Sequence, residues 1–305
     1  MHMDVIVNRL EAPMKKDHKS IMNSHPCFSK EAHGKYGRIH LPVAPACNIQ
    51  CRYCLRKYDC ANESRPGVTS IVLTPIQAQE RVRNLVERDH RLGVIGIAGP
   101  GDPLANEATF TTMMSIHREF PHLILCISTN GLALNDRIED LMKSGVKSVT
   151  VTINATRPEA AEKIYRWANY RGMRVEGSDA AELIVGKQWS GLDNAIDAGF
   201  LVKINSVLIP GVNDREIPLV AELAGKAGAH IHNIIPLNPQ AEFARQTRPS
   251  REDIHMLRLE CGMSIPQMSH CRQCRADACG TLDENKDMES EVLAARIGDA
   301  YEMMN

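Results

Sequence analysis

From Arg38 onward the chain alternates short apolar runs with amphipathic helical patterns, and this alternation restricts the fold more than any other feature. RIHLPVA precedes TPIQAQERVRNLVERD, LGVIGIAG precedes ANEATFTTMMSIHREF, and LILCISTN precedes LNDRIEDLMKSG. SVTVTINA then precedes RPEAAEKIYRWANYRG, LVKINSVLIP precedes IPLVAELAGKAG, and IHNIIPLNP follows. Strands joined through helices run parallel with right-handed crossovers. Six such units fall short of the eight that close a full barrel. The expected fold is therefore α/β, a partial (β/α)6 barrel of the TIM type, with a doubly wound sheet as the rival. EGSDAAELIVGKQWSGLDNAIDAG is expected to add one further helix. The barrel spans residues 38–239, between an N-terminal extension (1–37) and a C-terminal extension (240–305); both extensions carry cysteine and are expected to fold over the site.

Side chains two apart on a strand share a face. That rule aligns Cys126, Ser128 and Asn130 on one strand, Thr150, Thr152 and Asn154 on the next, and Lys203 with Asn205 on a third. A barrel with this pattern has a polar interior, and its ligands sit at the carboxyl ends of the strands.

The 36 basic and 37 acidic residues nearly cancel. No long-range field draws nucleic acid or an anionic membrane, so neither is an expected partner. The N-terminus lacks the apolar stretch of a signal peptide, and no run approaches the roughly 20 apolar residues of a membrane span. A cytoplasmic location is the expectation. Thiols stay reduced there, so ten cysteines point to metal or redox chemistry rather than disulfides.

Three of the ten lie in CNIQCRYC, as Cys47, Cys51 and Cys54, directly after the first strand. An iron–sulfur cube needs four ligands, so three local thiolates leave one iron open to a methionine-like ligand. A zinc knuckle or chance clustering is the competing reading. The spacing C-x3-C-x2-C, with aromatic Tyr53 before the last thiol, resembles the signature of the radical S-adenosylmethionine (SAM) superfamily, a partial-barrel fold. The resemblance implies that Cys47, Cys51 and Cys54 hold a 4Fe-4S cluster with SAM on its open iron. It implies further that AGPGDP, through Ala98, Gly99, Gly101 and Asp102, cradles the SAM amino group, with Ser128, Asn130, Asn154 and Asn205 as partners for its remaining groups. Turn and cap chemistry is the alternative for each of these polar residues.

Among the remaining thiols, Cys271 and Cys274 form CRQC, with Cys261 ten residues upstream in a stretch that reads as a loop. Zinc, with His270 or Cys279 as a further ligand, and a second iron–sulfur cluster both suit that spacing. Cys27, Cys60 and Cys126 are far apart in sequence, and His25 or His40 would complete a set with them. SHPCFSKEAHGKYGRIHLPVAPACNIQCRYCLRKYDCANESRPGVTS, AGPGDPLAN, STNGL and HCRQCRADA together resemble the NifB family, radical SAM proteins that build the core of the nitrogenase cofactor.

That resemblance implies two further 4Fe-4S clusters as substrates, one on Cys27, Cys60 and Cys126 with His40, the other on Cys261, Cys271 and Cys274. It implies fusion of the two with a SAM-derived carbide and added sulfur into an eight-iron core. Iron–sulfur donors, an electron donor, and downstream carrier and scaffold proteins are the implied partners. Cys279 departs from the family pattern, where an aliphatic residue is usual. Many relatives carry a C-terminal carrier-type domain, and this chain is expected to lack one. Glu63 and Arg65 are candidates for proton handling and loop anchoring, with a surface salt bridge as the bland alternative. Two rivals remain, another radical SAM enzyme with an auxiliary cluster and a noncatalytic iron–sulfur scaffold.

Overall fold

In the computed structural model, which describes residues 16–63, 71–284 and 286, every parallel strand begins within two residues of the run that the sequence pattern marks. The strands are β1 (Gly37–His40), β3 (Leu92–Ile97), β4 (Ile124–Thr129), β5 (Val146–Thr152), β8 (Leu201–Leu208) and β9 (Ile231–Pro236), hydrogen-bonded in that order. Helices cross over between them: α2 (Pro75–Arg88), α3 (Glu107–Glu119), α4 (Leu134–Lys143), α6 (Gly177–Asp197) and α7 (Glu216–Ala227), with α8 (Arg251–Cys261) after β9. This is the expected partial (β/α)6 barrel. A two-residue strand, β10 (Cys279–Gly280), pairs antiparallel to β1, so the C-terminal extension folds back onto the first strand. The N-terminal helix α1 (Lys16–Ser24) is tied to the barrel by His18, which bonds the Gly199 carbonyl at 2.8 Å.

Local chemistry sets several boundaries. Thr74 caps α2 through the Gln77 amide while the Gln77 side chain answers the Thr74 amide, and Pro75 occupies the first helical position. Ser250 and Asp253 do the same for α8. On the strands Ile95, Ile97, Leu125, Ile127, Val149, Val151, Val202 and Ile204 all belong to one buried apolar core with the crossover helices. The alternating positions point the other way, into the barrel.

One expectation is corrected. RPEAAEKIYRWANYRG reads as a helix but is helical only over α5 (Pro158–Ala161), then forms β6 (Tyr165–Tyr170) and turns back as β7 (Met173–Glu176). Arg171 and Gly172, with φ of 52° and 79°, make the two-residue turn that suits a hairpin's twist. Tyr165, Trp167 and Tyr170 favour strand, and a partner strand decides the matter. That partner is β2 (Ile49–Cys51), inside the cysteine loop, with Ile49 opposite Ala168 and Cys51 opposite Tyr165. The segment taken as an extra helix, α6, is the true crossover from β5 to β8.

Arg65 lies outside the described residues, as do residues 1–15 and 287–305 of the two extensions. Among the described residues no helix is long and apolar enough to cross a membrane.

Candidate cluster and SAM site

The cysteine loop leaves β1 at the carboxyl end of the sheet and is held from three sides. The hairpin holds it through the β2 ladder, through the Arg52 amide on the Ile164 carbonyl at 2.8 Å, and through the Asn169 amide on the Asn48 carbonyl at 2.7 Å. AGPGDP packs beneath it, with the Gly101 amide 2.5 Å from the Ala44 carbonyl and the Asp102 amide 2.8 Å from that of Ala46. Tyr53, fully buried, donates its hydroxyl to Asn62 Oδ1 at 2.5 Å and accepts from Asn154 Nδ2 at 2.8 Å. The aromatic before the third cysteine thus ties the loop to β5, and Asn154 also accepts from the Val207 amide at 2.8 Å.

Cys47, Cys51, Cys54 and Cys60 line one cavity together with Gly101, Asp102, Ser128 and Asn130. Asp102 is a structural anchor within it. Its carboxylate accepts from the Asn130 amide at 2.7 Å, the Leu104 amide at 2.9 Å and the Thr129 hydroxyl at 3.0 Å. Asn130 Nδ2 bonds Asn48 Oδ1 at 2.7 Å and stands 3.8 Å from Cys47 Sγ.

A second cavity adjoins the first, and Glu63 and Ser128 line both. Its wall carries His25, Cys27, His40, Cys126, Cys271 and Cys274, with Ala98, Lys203, Asn205 and Asn233. Both chain extensions therefore contribute residues to this wall. Glu63 accepts from Asn205 Nδ2 at 2.8 Å and Thr152 at 3.3 Å, and burial raises its carboxyl above the usual range against the opposing charge of Lys203.

Register explains one part of this wall. His40 of β1, Gly96 of β3 and Cys126 of β4 are partners across three neighbouring strands. A methyl group on Gly96 would stand 2.9 Å from the His40 ring and 3.3 Å from Cys126 Sγ, so glycine there leaves both free to face the cavity. His40 Nδ1 lies 2.9 Å from the Arg275 carbonyl, which can only accept. Nδ1 therefore carries the hydrogen, and Nε2 keeps its lone pair for a metal, the usual arrangement for a ligating histidine. His25 is the opposite tautomer: Nδ1 accepts from the Cys27 amide at 3.1 Å, which puts the hydrogen on a buried Nε2 with no partner. Between these histidines, only His40 has a lone pair to give.

Two cysteines lie elsewhere. The expectation that Cys261 joins Cys271 and Cys274 is contradicted, because Cys261 ends helix α8 and is 1% exposed within the main apolar core. Ile254, Leu257 and Cys261, spaced three and four apart, form that helix's apolar stripe. Cys279 is buried in β10 and lines neither cavity. Cys60, expected beside Cys27 and Cys126, lines the cavity of the cysteine loop.

The donor set suits iron–sulfur cubes. Among the described residues no three His, Cys, Asp or Glu side chains converge on a point. A cube is instead held from separate corners. Burial pushes the Cys47 thiol up to about 12 and Cys27 to about 11, and raises Cys51, Cys60 and Cys126 well above the ordinary thiol range. Thiols in this setting ionise only when bound cations stabilise the thiolate.

Burial also holds His25 to about 3 and His40 to about 4, with help from the charges of Lys203 and Arg38 respectively, and His232 to about 3 with Arg258. The unfolded chain binds protons at these positions near pH 6.5 and the folded chain does not. Folded-state values are depressed, so stability is full above pH 6.5 and falls as pH drops toward 4, by about 1.4 kcal/mol per pH unit for each histidine. Denaturant titrations of cluster-free protein between pH 7.5 and 5 should show this loss, and His232→Gln should remove one share of it. The difference between the two slopes isolates the histidine from Glu63 and Asp102, which burial raises and which act in the opposite sense.

Residues that the pattern reading missed include Asn62, Asn48 and Gln188. Gln188 of α6 donates to the carbonyls of Asn130 and Thr152, at 2.8 and 2.9 Å, locking the two strand ends together. Lone amides carry no spacing signal.

Comparison with known proteins agrees with this geometry. The model of the radical SAM superfamily matches residues 41–224. The chain belongs to the radical SAM superfamily. It is similar along nearly its whole length to the FeMo cofactor biosynthesis protein NifB: 48% identical over 279 residues to that of Klebsiella pneumoniae, covering 89% of this chain and 60% of the relative. For the Azotobacter vinelandii protein the identity is 44% over 295 residues, with 90% and 58% covered, and for that of Chlorobaculum tepidum 42% over 282, with 92% and 66% covered. The chain thus spans between half and two thirds of the curated relatives it matches. A solved structure of anSMEcpe with bound AdoMet aligns with 65% of this chain and 50% of its own at 15% identity, with a TM-score of 0.45.

Proposed function

We propose that this chain builds the iron–sulfur core of the nitrogenase cofactor, joining two 4Fe-4S clusters around a carbon atom taken from SAM. One observation carries the reading: two thiol-lined cavities meet across Glu63 and Ser128. In this proposal Cys47, Cys51 and Cys54 hold a resident 4Fe-4S cluster, which supplies the electron that cleaves SAM to a 5'-deoxyadenosyl radical. Asp102 keeps the AGPGDP segment and Asn130 in place at that site, and Tyr53 with Asn154 fixes the height of the loop above the sheet.

The second cavity receives the substrate clusters, one through Cys27, Cys126 and His40, the other through Cys271 and Cys274. Cys60 lines the cavity of the cysteine loop, so in this proposal it would reach a substrate cluster only from the SAM side. One SAM would give its methyl group to a sulfide of a substrate cluster and leave as S-adenosylhomocysteine; a second, cleaved reductively, would take a hydrogen from that methyl and leave as 5'-deoxyadenosine. Hydrogen transfer needs the reacting atoms about 3–3.5 Å apart, which requires the two cavities to adjoin, as they do at Glu63 and Ser128. Glu63, buried and with a raised carboxyl, is placed to hold and release protons as the methyl loses its hydrogens. A product that must leave is better held by a displaceable histidine than by a full set of thiolates. Iron–sulfur donors, an electron donor and downstream carrier and scaffold proteins would complete the route.

The test is anaerobic. Protein reconstituted with iron and sulfide, reduced, and given methyl-labelled SAM should form both S-adenosylhomocysteine and 5'-deoxyadenosine, with label retained in an extractable iron–sulfur species. 5'-Deoxyadenosine alone, with no label in the cluster, refutes the assignment.

A further inference from the structure

The cavity assigned to the substrate clusters holds a cation that the thiol chemistry above leaves unused. Lys203 of β8 is 6% exposed, lies in register between Thr150 of β5 and Ile231 of β9, and shares its wall with Cys27, Cys126, Cys271 and Cys274. Among the described residues it makes no hydrogen bond or ion pair. The one carboxylate described on the same wall, Glu63, bonds Asn205 and Thr152 and acts on Lys203 through its charge without a direct bond. A buried ammonium without a counter-ion is costly, and the usual resolution is neutralisation or a bound anion.

His25 adds a second unmet donor. Its Nε2 carries the hydrogen, is buried, has no partner, and belongs to the same cavity wall. The unbonded polar groups of this cavity thus include an ammonium and an N–H, with Ser128 Oγ and Asn233 Oδ1 beside them, and the two nitrogen donors suit an anion. Four thiols share the wall, which puts soft sulfur ligands around hard donors. The anion that satisfies both is a sulfide-rich cluster, bound to iron through thiolates and to its core sulfides through N–H groups.

We propose that Lys203, with His25 Nε2–H as second donor, is the counter-charge that lets two anionic clusters occupy this cavity together. The inference rests on the function proposed above and adds a role for residues outside the ligand sets. A 4Fe-4S cluster reduced by one electron and carrying two thiolates is a net anion, and two anions brought together in a low-dielectric interior repel strongly. One ammonium acting on both thiol sets, Cys27 and Cys126 on one side and Cys271 on the other, offsets that repulsion. Lys203 is thus a positioning residue for fusion and takes no part in bond making.

The experiment compares reconstituted wild-type protein with Lys203→Met, Lys203→Arg and His25→Leu by iron content and by redox titration followed by electron paramagnetic resonance. Lys203→Met should lower iron per chain while SAM cleavage persists. Any substrate cluster it retains should be at least tenfold less reduced at a given potential, 59 mV for a one-electron couple. Lys203→Arg should restore both, and His25→Leu should shift the potential in the same direction by less. Should Lys203→Met fail to fold, Lys203→Gln carries the same test. Full iron content with unchanged potentials in the neutral variants overturns the inference. Wild-type protein that takes up only one cluster sinks the proposed function and this inference with it, whereas three clusters in wild type and an indifferent Lys203→Met sink the inference alone.

Discussion

Gly101→Ala is expected to destabilise the protein by about 3 kcal/mol and to loosen the cysteine loop from the sheet. A methyl at this position would overlap the Ala46 carbonyl oxygen and come within 2.8 Å of the Ala44 carbonyl oxygen. Both obstacles are backbone, and the Ala44 carbonyl is also the acceptor for the Gly101 amide. No rotamer change relieves such a contact, so the loop or the AGPGDP segment must shift. A shift there pulls Cys47 away from Asn130. Gly172→Ala is the control: nothing lies within 4 Å of its added methyl, and only the left-handed backbone, φ 79°, resists it, at about 1–2 kcal/mol. Thermal unfolding of both variants, with iron content after reconstitution, reads the result. Equal losses in the two, with iron uptake intact in both, would show that the close approach at Gly101 is unimportant.

Cys51→Ala is expected to abolish reductive SAM cleavage, by roughly a thousandfold or more, and to remove about four irons per chain. The change removes one of the three thiolates that anchor the cube beside the iron kept for SAM. Cys51 lies on β2 against the hairpin, so the folded chain survives the change while the ligand is lost. Cys271→Ala should behave differently, lowering iron while leaving SAM cleavage in place. Cys261→Ala should change neither, and should cost only about 1 kcal/mol as a buried small apolar side chain. Chromatographic assay of 5'-deoxyadenosine and iron analysis on the three variants separate these roles. Loss of SAM cleavage in Cys261→Ala would contradict the placement of that residue in the core.

Much of the fold was legible because its signals are local. Strand runs of period two and helices of period 3.6 repeat along the chain, and the capping box at Thr74 marks a helix start in four letters. The hairpin at β6 and β7 was not legible, since AAEKIYRWANYR carries helix formers and aromatics together. Its state is decided by β2, more than a hundred residues earlier in the chain. Propensity differences of a few tenths of a kcal/mol yield to a ladder of backbone hydrogen bonds.

The same distinction runs through the site. Cys47, Cys51 and Cys54 are readable together because one short loop holds them, and their spacing is covalent. Cys261 and Cys271 are only ten residues apart, yet a helix end turns one into the core while the other faces the cavity. Which of His25 and His40 can ligate depends on a carbonyl at Arg275 and an amide at Cys27, contacts that no spacing encodes.

Sequence alone determined the strand and helix alternation, the polar inner face and the three-thiol loop, because each depends on neighbours within one or two turns of chain. Tertiary structure alone decided how the distant cysteines are grouped, which histidine offers a lone pair, and that Lys203 stands unpaired among thiols. Those outcomes depend on which surfaces meet when the two extensions close over the barrel, and side-chain direction at such a meeting is set by packing and hydrogen bonding across the whole chain.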